Sequence, residues 1–480
     1  MPVTEISHAQ RTGLISRPRP PSSAYGAAAR YAARSHPPVA PYARPAGSRA
    51  PHHYAAGLGH PPLRTADGHY RDERRASWLE LFFDLAFAGA VGQLAGALQD
   101  HPTLSNLARF VLLFSPIWWL WVQLTFYADR HESEDAAHRV PFLVAILLCV
   151  GLAASAPRAL SGDTTGFVIA FACLRGLQLL LYARARHYLP ATRPLYNCYL
   201  VSFGVGGALW LSSLAVGGSA RYAFWGVALL ADAMGSMAML VPWRRVPVNT
   251  AHLTDRFHLF VLIVLGESMA RLISAAAIRP WSLPLATVLA AALIILAALW
   301  WAWLTTADRQ ALDGQPTVAW FTALNLPVVA GVAAASAGLH IAILAADGAG
   351  TIPAGPRAAL YGGVSVFLLA SAIMPSRKMT RPARVARLAT ALGAMGLVFM
   401  GAIVEPVFLV PALTVVLALG LRAEARTGSF SRWHFNAAVQ RRTNWAAMPP
   451  RGPDLAPTPG PAAASQARAS GRGRNRVEVW

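Results

Sequence analysis

Two stretches of this sequence are apolar enough to start membrane spans, yet both carry charge. "ASWLELFFDLAF", residues 76–87, holds Glu80 and Asp84; "HLTDRFHLFVLIVLGESMARL", residues 252–272, holds Asp255, Arg256, Glu267 and Arg271. A charge at mid-bilayer costs at least about 2.5 to 3.5 kcal/mol, so such a residue is either held by a partner or acts on something passing through. A buried carboxylate also keeps its proton more readily, which a proton-coupled site requires. Asp84 and Glu267 are therefore the candidate ion- or substrate-coupling carboxylates, with Arg256 and Arg271 to tune them or to guide an anionic substrate.

Spacing assigns the other polar residues auxiliary work. Ser77 followed three residues later by Glu80 is a capping-box pattern, which gives Glu80 a role at a helix start. Asp84 lies one turn on, on the same face and about 10 Å below the cap, too deep for so short a side chain to reach the interface. His252 and Arg256 are one turn apart at the start of the second stretch, and Glu267 lies about 16 Å beyond Arg256. Gly266 would let another helix approach, and Arg271 stands four residues after Glu267, the favourable order for a pair. An internal Glu267–Arg271 pair and a proton or ion site at Glu267 are both open readings. Arg175, Asp232 and Glu405 are further charges in apolar segments, and Arg175 with Asp232 would make an interhelical pair.

Other constellations are weaker. His131, Asp135 and His138 share one helical face, a set that could ligate a divalent cation, but a loop of mixed charge reads first as a solvated face. No metal and no cofactor is expected. Cys149, Cys173 and Cys198 sit at unrelated spacings in apolar segments and read as small buried side chains. The Trp clusters at 118–121 and 300–303 read as rings that anchor helices or fill a bundle. There is no nucleophile elbow, P-loop or dinucleotide fingerprint.

The elements that must position these residues are membrane helices. Of 480 residues, 55% are hydrophobic and only 13% charged, where a soluble chain carries about 25% charge. Stretches such as "LPLATVLAAALIILAALWWAWL" exceed the roughly 20 residues that span a bilayer. The formal charge of +20 is carried almost wholly by Arg, with Lys378 the single lysine. The arginines cluster at the termini and in alternate loops, the positive-inside pattern, and no aromatic-interleaved module accompanies them, so nucleic acid is not an expected partner.

Twelve apolar segments are predicted as helices, near 78–98, 107–127, 140–157, 165–182, 197–216, 221–241, 257–277, 284–305, 318–346, 357–375, 387–403 and 405–421. Residues 1–72 and 424–480, rich in Pro, Ala and Arg, are expected to be disordered basic cytoplasmic tails, with no cleaved signal peptide ahead of the first span. "PIWWLWVQLTFYADR" at 116–130 is echoed by "AALWWAWLTTADR" at 297–309. The echo suggests two parallel six-helix repeats, 73–250 and 251–423, in which Asp84 and Glu267 occupy corresponding places and the site lies between the halves.

"SWLELFFDLAFAGAVGQLA", "HLTDRFHLFVLIVLGES", "WWLWVQLTFYADR" and "LNLPVVAGVAAASAGL" together resemble the bacterial low-temperature-requirement A family, over about residues 73–420. The resemblance implies a multi-helix plasma-membrane protein linked by name to growth in the cold; it implies no substrate. The family's Leu-Glu-x-x-x-Asp falls on Leu79, Glu80 and Asp84, and its Leu-Gly-Glu on Leu265, Gly266 and Glu267. This chain has Asp255 where the family usually has Glu, and Asn325 where it tends to have His. Phe82 and Asp84 also fit the Phe-x-Asp that opens each repeat of endolysosomal two-repeat potassium channels. The expectation is an all-α polytopic membrane protein with both termini cytoplasmic, whose partners are the lipid bilayer and a small solute or ion. It would act as a secondary transporter or ion-conducting protein. A membrane enzyme on lipid substrates, working around His131, Asp135, His252 and Asp255, and a non-catalytic scaffold are the alternatives.

Overall fold

A computed structural model describes residues 76–427, apart from loop positions 132–134, 219, 241–245, 247, 307–311, 313–314 and 349. Asp308, Arg309 and nearly all of both expected tails lie outside the described residues. Every regular element described is helical, as lipid demands of a chain that must satisfy its own backbone. The helices are α1 Trp78–Asp100, α2 Leu104–His131, α3 Ala136–Ser161, α4 Thr165–Tyr188, α5 Arg193–Ser212, α6 Ala220–Met237, α7 Thr250–Ala277 and α8 Leu283–Thr306. They continue with α9 Gln315–Leu344, α10 Ala354–Ile373, α11 Arg381–Met400 and α12 Pro406–Arg426. Each predicted segment falls on one of them.

Local chemistry sets the ends. Ser77 caps α1 reciprocally with Glu80, Asn249 caps α7 by accepting from the His252 amide at 3.0 Å, and Thr380 caps α11 by accepting from the Ala383 amide at 3.3 Å. The α3 C-terminus closes on Gly162, whose φ of 117° lies in the left-handed region that glycine adopts freely. The sequence reading ended the membrane region at 423, but α12 continues to Arg426. The buried Glu424 ties that last turn to Arg387 of α11, through Nη2–Oε2 at 2.5 Å and Nε–Oε1 at 2.9 Å.

Eleven described helices are long and apolar enough to cross a bilayer; α6, with 18 residues, falls just short of that standard. Packing places it nonetheless. Glu80 of α1 meets His252 of α7, Asp84 meets Arg256, Gly92 lies beneath Glu267 and Gly96 beneath Arg271. The contacts advance in the same sense on both helices, so α1 and α7 run parallel. Five helices separate them, four of which qualify as spans, and since a parallel return requires an odd number of crossings, α6 crosses as the fifth.

Neighbours recur in order: α1 packs on α3, α3 on α4, α4 on α5 and α5 on α6, while α7 packs on α9, α9 on α10, α10 on α11 and α11 on α12. The bundle is apolar outside and partly polar inside. Leu147, Leu180, Met234, Phe399 and Ile403 are exposed, whereas Arg130, Arg175, Arg256 and Arg387 are fully buried. That distribution suits lipid as solvent. α9 and α10 approach backbone to backbone, since a methyl group on Gly331 would meet the Gly363 carbonyl at 2.5 Å.

Candidate functional site

The caps of α1 and α7 bring complementary residues together. Counting from Ser77 and Asn249, the third residue is Glu80 on one helix and His252 on the other; the seventh is Asp84 and Arg256. Arg256 donates through Nε to Asp84 Oδ2 at 2.9 Å and through Nη2 to Oδ1 at 2.5 Å, while its Nη1 lies 2.9 Å from Glu80 Oε1. Trp121 of α2 donates its indole N–H to Asp84 Oδ1 at 2.8 Å. His252 lies between two acids, with Nδ1 2.9 Å from Asp129 Oδ1 and Nε2 3.3 Å from Glu80 Oε2. Asp129 also accepts from the Asn249 backbone N–H at 2.8 Å, which pins the end of α2 to the start of α7.

Glu80, Asp84, Asp129, His252 and Arg256 are all 3% exposed or less. A neutral imidazole has one N–H and satisfies one of its two carboxylate partners; an imidazolium satisfies both. Three carboxylates, Glu80, Asp84 and Asp129, thus share Arg256 and His252. Both Asp84 oxygens are taken by Arg256 and Trp121. The geometry makes Asp84 a clamp joining α1, α2 and α7.

An aromatic layer follows. Trp118 and Trp121 of α2 interlock with Phe257 and Phe260 of α7, with ring centroids 4.3 to 5.9 Å apart. Along α7 these rings lie between Arg256 and Glu267, an aromatic plug between the two.

The second polar layer lies beyond that plug. Glu267 Oε1 accepts from Arg271 Nη2 at 2.9 Å, and the two side chains lie over Gly92 and Gly96 of α1. A methyl group on Gly92 would come within 2.7 Å of Glu267 Oε1, and one on Gly96 within 2.6 Å of Arg271 Nη1. Unlike Asp84, Glu267 is open: its side chain is 38% exposed and that of Arg271 17%. With Ser268 and, on α9, Ser336 they line a cavity of about 10 Å³ between α1, α7 and α9. The Ser336 hydroxyl and Arg271 Nε are buried without a hydrogen-bond partner among the described residues. One turn on, His340 Nδ1 lies 3.3 Å from the Arg271 carbonyl, which can only accept, so Nδ1 carries the proton. A cavity of this size holds about one water.

Residues 75–421 match the model of the family described as bacterial low temperature requirement A protein. The chain belongs to that family. It is also similar to an uncharacterized protein of Rhizobium meliloti (strain 1021), 26% identical over 284 residues, covering 54% of this chain and 68% of that one. No solved structure matches the chain.

Of the other charges in apolar segments of this low-temperature-requirement A chain, Arg175 and Asp232 are matched, and Glu405 is the half-buried N-cap residue of α12, with no side-chain cap bond. Arg175 of α4 meets Asp232 of α6 at 2.6 Å and Gln178 at 2.8 Å, with its guanidinium 5.0 and 5.3 Å from the Phe171 and Phe203 ring centres. His131 and His138 do not converge with Asp135 on a common point. His131 Nε2 bonds Tyr196 Oη at 2.5 Å, and His138 stacks on Phe142 at 4.6 Å. Among the described residues no group of three His, Cys, Asp or Glu side chains could hold a metal. Asp255 is half-buried, and Asn325 is buried with its amide donating to the Phe321 carbonyl at 2.7 Å. Trp118, Trp121 and Trp303 are buried, while Trp300 and Trp301 are partly exposed.

Sequence reasoning missed Asp129 as the partner of His252, Trp121 as the partner of Asp84, and Ser336 and His340 beside Glu267. The signal for Asp129 was present, an acid in the last turn of an apolar helix, but it was used only as half of an internal echo.

Proposed function

We propose that this chain is a secondary transporter or ion-conducting protein, and that the Glu267–Arg271 layer, rather than Asp84, is where cargo or a coupling proton is handled. The observation that carries the reading is the contrast between the two acids. Asp84 is fully buried with both oxygens bonded, whereas Glu267 holds one partner, borders a cavity and has buried unpaired polar atoms beside it. Intramembrane ionisable residues that keep free valence mark ion and substrate pathways. The cavity's size fits a proton carrier, a water or a dehydrated monovalent ion in this conformation, with the Trp118–Phe260 plug closing the route towards the Asp84 clamp. The even number of crossings and the Arg-rich loops favour both termini in the cytoplasm, and the plasma membrane as the host bilayer.

Reconstitution in liposomes tests this, with internal pH and current recorded under imposed proton and monovalent-cation gradients. The expected result is a flux in the unmodified protein that falls at least about tenfold, or about 1.4 kcal/mol in barrier, in Glu267→Gln with helix content unchanged. Equal flux in the two proteins would remove Glu267 from the mechanism. No flux in either would favour the scaffold reading. The lipid-enzyme reading has less support, because His252 is enclosed in the clamp and His131 is bonded to Tyr196 rather than lining a cleft.

A further inference from the structure

Among the described residues four arginines are fully buried, and three of them are matched. Arg175 meets Asp232, Arg256 meets Asp84 and Glu80, and Arg387 meets Glu424. The fourth, Arg130, is 0% exposed and meets no carboxylate among the described residues; the hydroxyls of Tyr199 and Tyr196 are what its guanidinium can donate to. Its sequence neighbour Asp129 is turned to His252 and Asn249. Its ionisable neighbours are the phenols of Tyr199, Tyr196 and Tyr182. Two of those hydroxyls are engaged elsewhere, Tyr182 Oη donating to the Gln123 carbonyl at 2.8 Å and Tyr196 Oη bonded to His131. A buried guanidinium with no counter-charge is among the costliest arrangements a fold can hold, since the desolvated ion has nothing to offset it.

The same place has room. Helical side chains lean towards the N-terminus, and this carries the Arg130 guanidinium back over the Phe126 ring, 5.4 Å from its centre. Phe126 and Tyr199 both line a cavity of about 20 Å³ between α2, α5, α6 and α9, whose other polar lining includes Gln123, Ser236 and Thr322. That is space for one or two water-sized particles, with no carboxylate among the lining residues; Arg130 does not line it but lies behind Phe126 and Tyr199, which do. We propose that this cavity binds a small inorganic monoanion of halide size, held by the Tyr199 hydroxyl with the charge of Arg130 behind it. One fixed cation matches one negative charge. A doubly charged oxyanion would bring a charge that the lining cannot match and a volume that the cavity does not offer. The site is separate from Glu267 and does not depend on the transport reading.

Thermal unfolding of the purified full chain in detergent tests the proposal, in sodium bromide against sodium gluconate at equal ionic strength. The expected result is a rise in Tm of several degrees that saturates with bromide. The rise should be absent in Arg130→Gln, which should also be no less stable than the parent in gluconate because the uncompensated charge is gone. Tyr199→Phe serves if Arg130→Gln does not fold; it should keep the response but shift its midpoint several-fold to higher bromide. No bromide-dependent rise in the parent overturns the proposal, as does a full rise in Arg130→Gln or an unmoved midpoint in Tyr199→Phe.

Discussion

At the scale of single residues, burial separates acids that the sequence presents alike. Asp84 accepts from two donors on Arg256 and one on Trp121. Removing the base strands two carboxylates, so Arg256→Ala should destabilise the protein by about 3 to 5 kcal/mol, the range for breaking a buried pair from one side. Trp121→Phe keeps the ring in the aromatic layer and deletes one bond to a charged group, which predicts a loss of about 1.5 to 3 kcal/mol. Thermal or denaturant unfolding in detergent measures both, and the Asp84→Ala/Arg256→Ala double variant should lose less than the two single losses added together. Additive losses would mean that the clamp is not a unit. Glu267→Gln, in contrast, keeps the shape of a partly exposed side chain and should change unfolding by less than about 1 kcal/mol. Its effect belongs to flux.

At the scale of helices, the sequence was legible where a helix depends on itself. All twelve predicted segments became helices, because a run of about 20 apolar residues has one stable form in lipid, and the Ser77–Glu80 cap was visible from a spacing of three. Partnerships were legible mainly within a helix, as with Glu267 and Arg271 at four residues; Arg175 with Asp232 was a match of opposite charges in apolar segments, which the structure shows as a pair. Asp129 with His252, 123 residues apart, was not legible, since nothing in either segment states which helix ends share a face. The close approach of α9 and α10 was hidden as well. Gly331 and Gly363 look like ordinary small residues, yet a side chain on either strikes backbone rather than a movable side chain, at 2.5 and 2.7 Å. Gly331→Leu should therefore abolish folded, monodisperse protein. Gly92→Ala strikes the Glu267 side chain, a movable neighbour rather than backbone, at 2.7 to 3.0 Å and should fold while altering whatever Glu267 does. Size-exclusion profiles separate the two, and a well-behaved Gly331→Leu would show that α9 and α10 can part without loss of the bundle.

At the scale of the whole molecule, the parallel course of α1 and α7 carries most of the topology. Six crossings return the chain to the same face, and a second set of six brings α12 to end where α1 begins. The succession of neighbours α1–α3–α4–α5–α6 recurs as α7–α9–α10–α11–α12, but α8 packs extensively on α12 where α2 scarcely touches α6, so the two-repeat organisation suggested by the Trp echo is a proposal. On that view the clamp is where the two halves meet at one face, acids from the first and bases from the second. The topology makes a test independent of any activity. With Cys149, Cys173 and Cys198 replaced by Ala, single cysteines at Ser22→Cys and Ser465→Cys should behave alike towards a membrane-impermeant maleimide. Both should be shielded in intact cells and labelled after permeabilisation, since the Arg-rich loops lie at the face from which both tails leave. Labelling of one tail alone in intact cells would require an odd number of crossings and would remove α6, the shortest helix, as a span. Labelling of both would keep the twelve crossings and invert the molecule, placing the Asp84 clamp on the outer side and the Glu267 cavity nearer the cytoplasm.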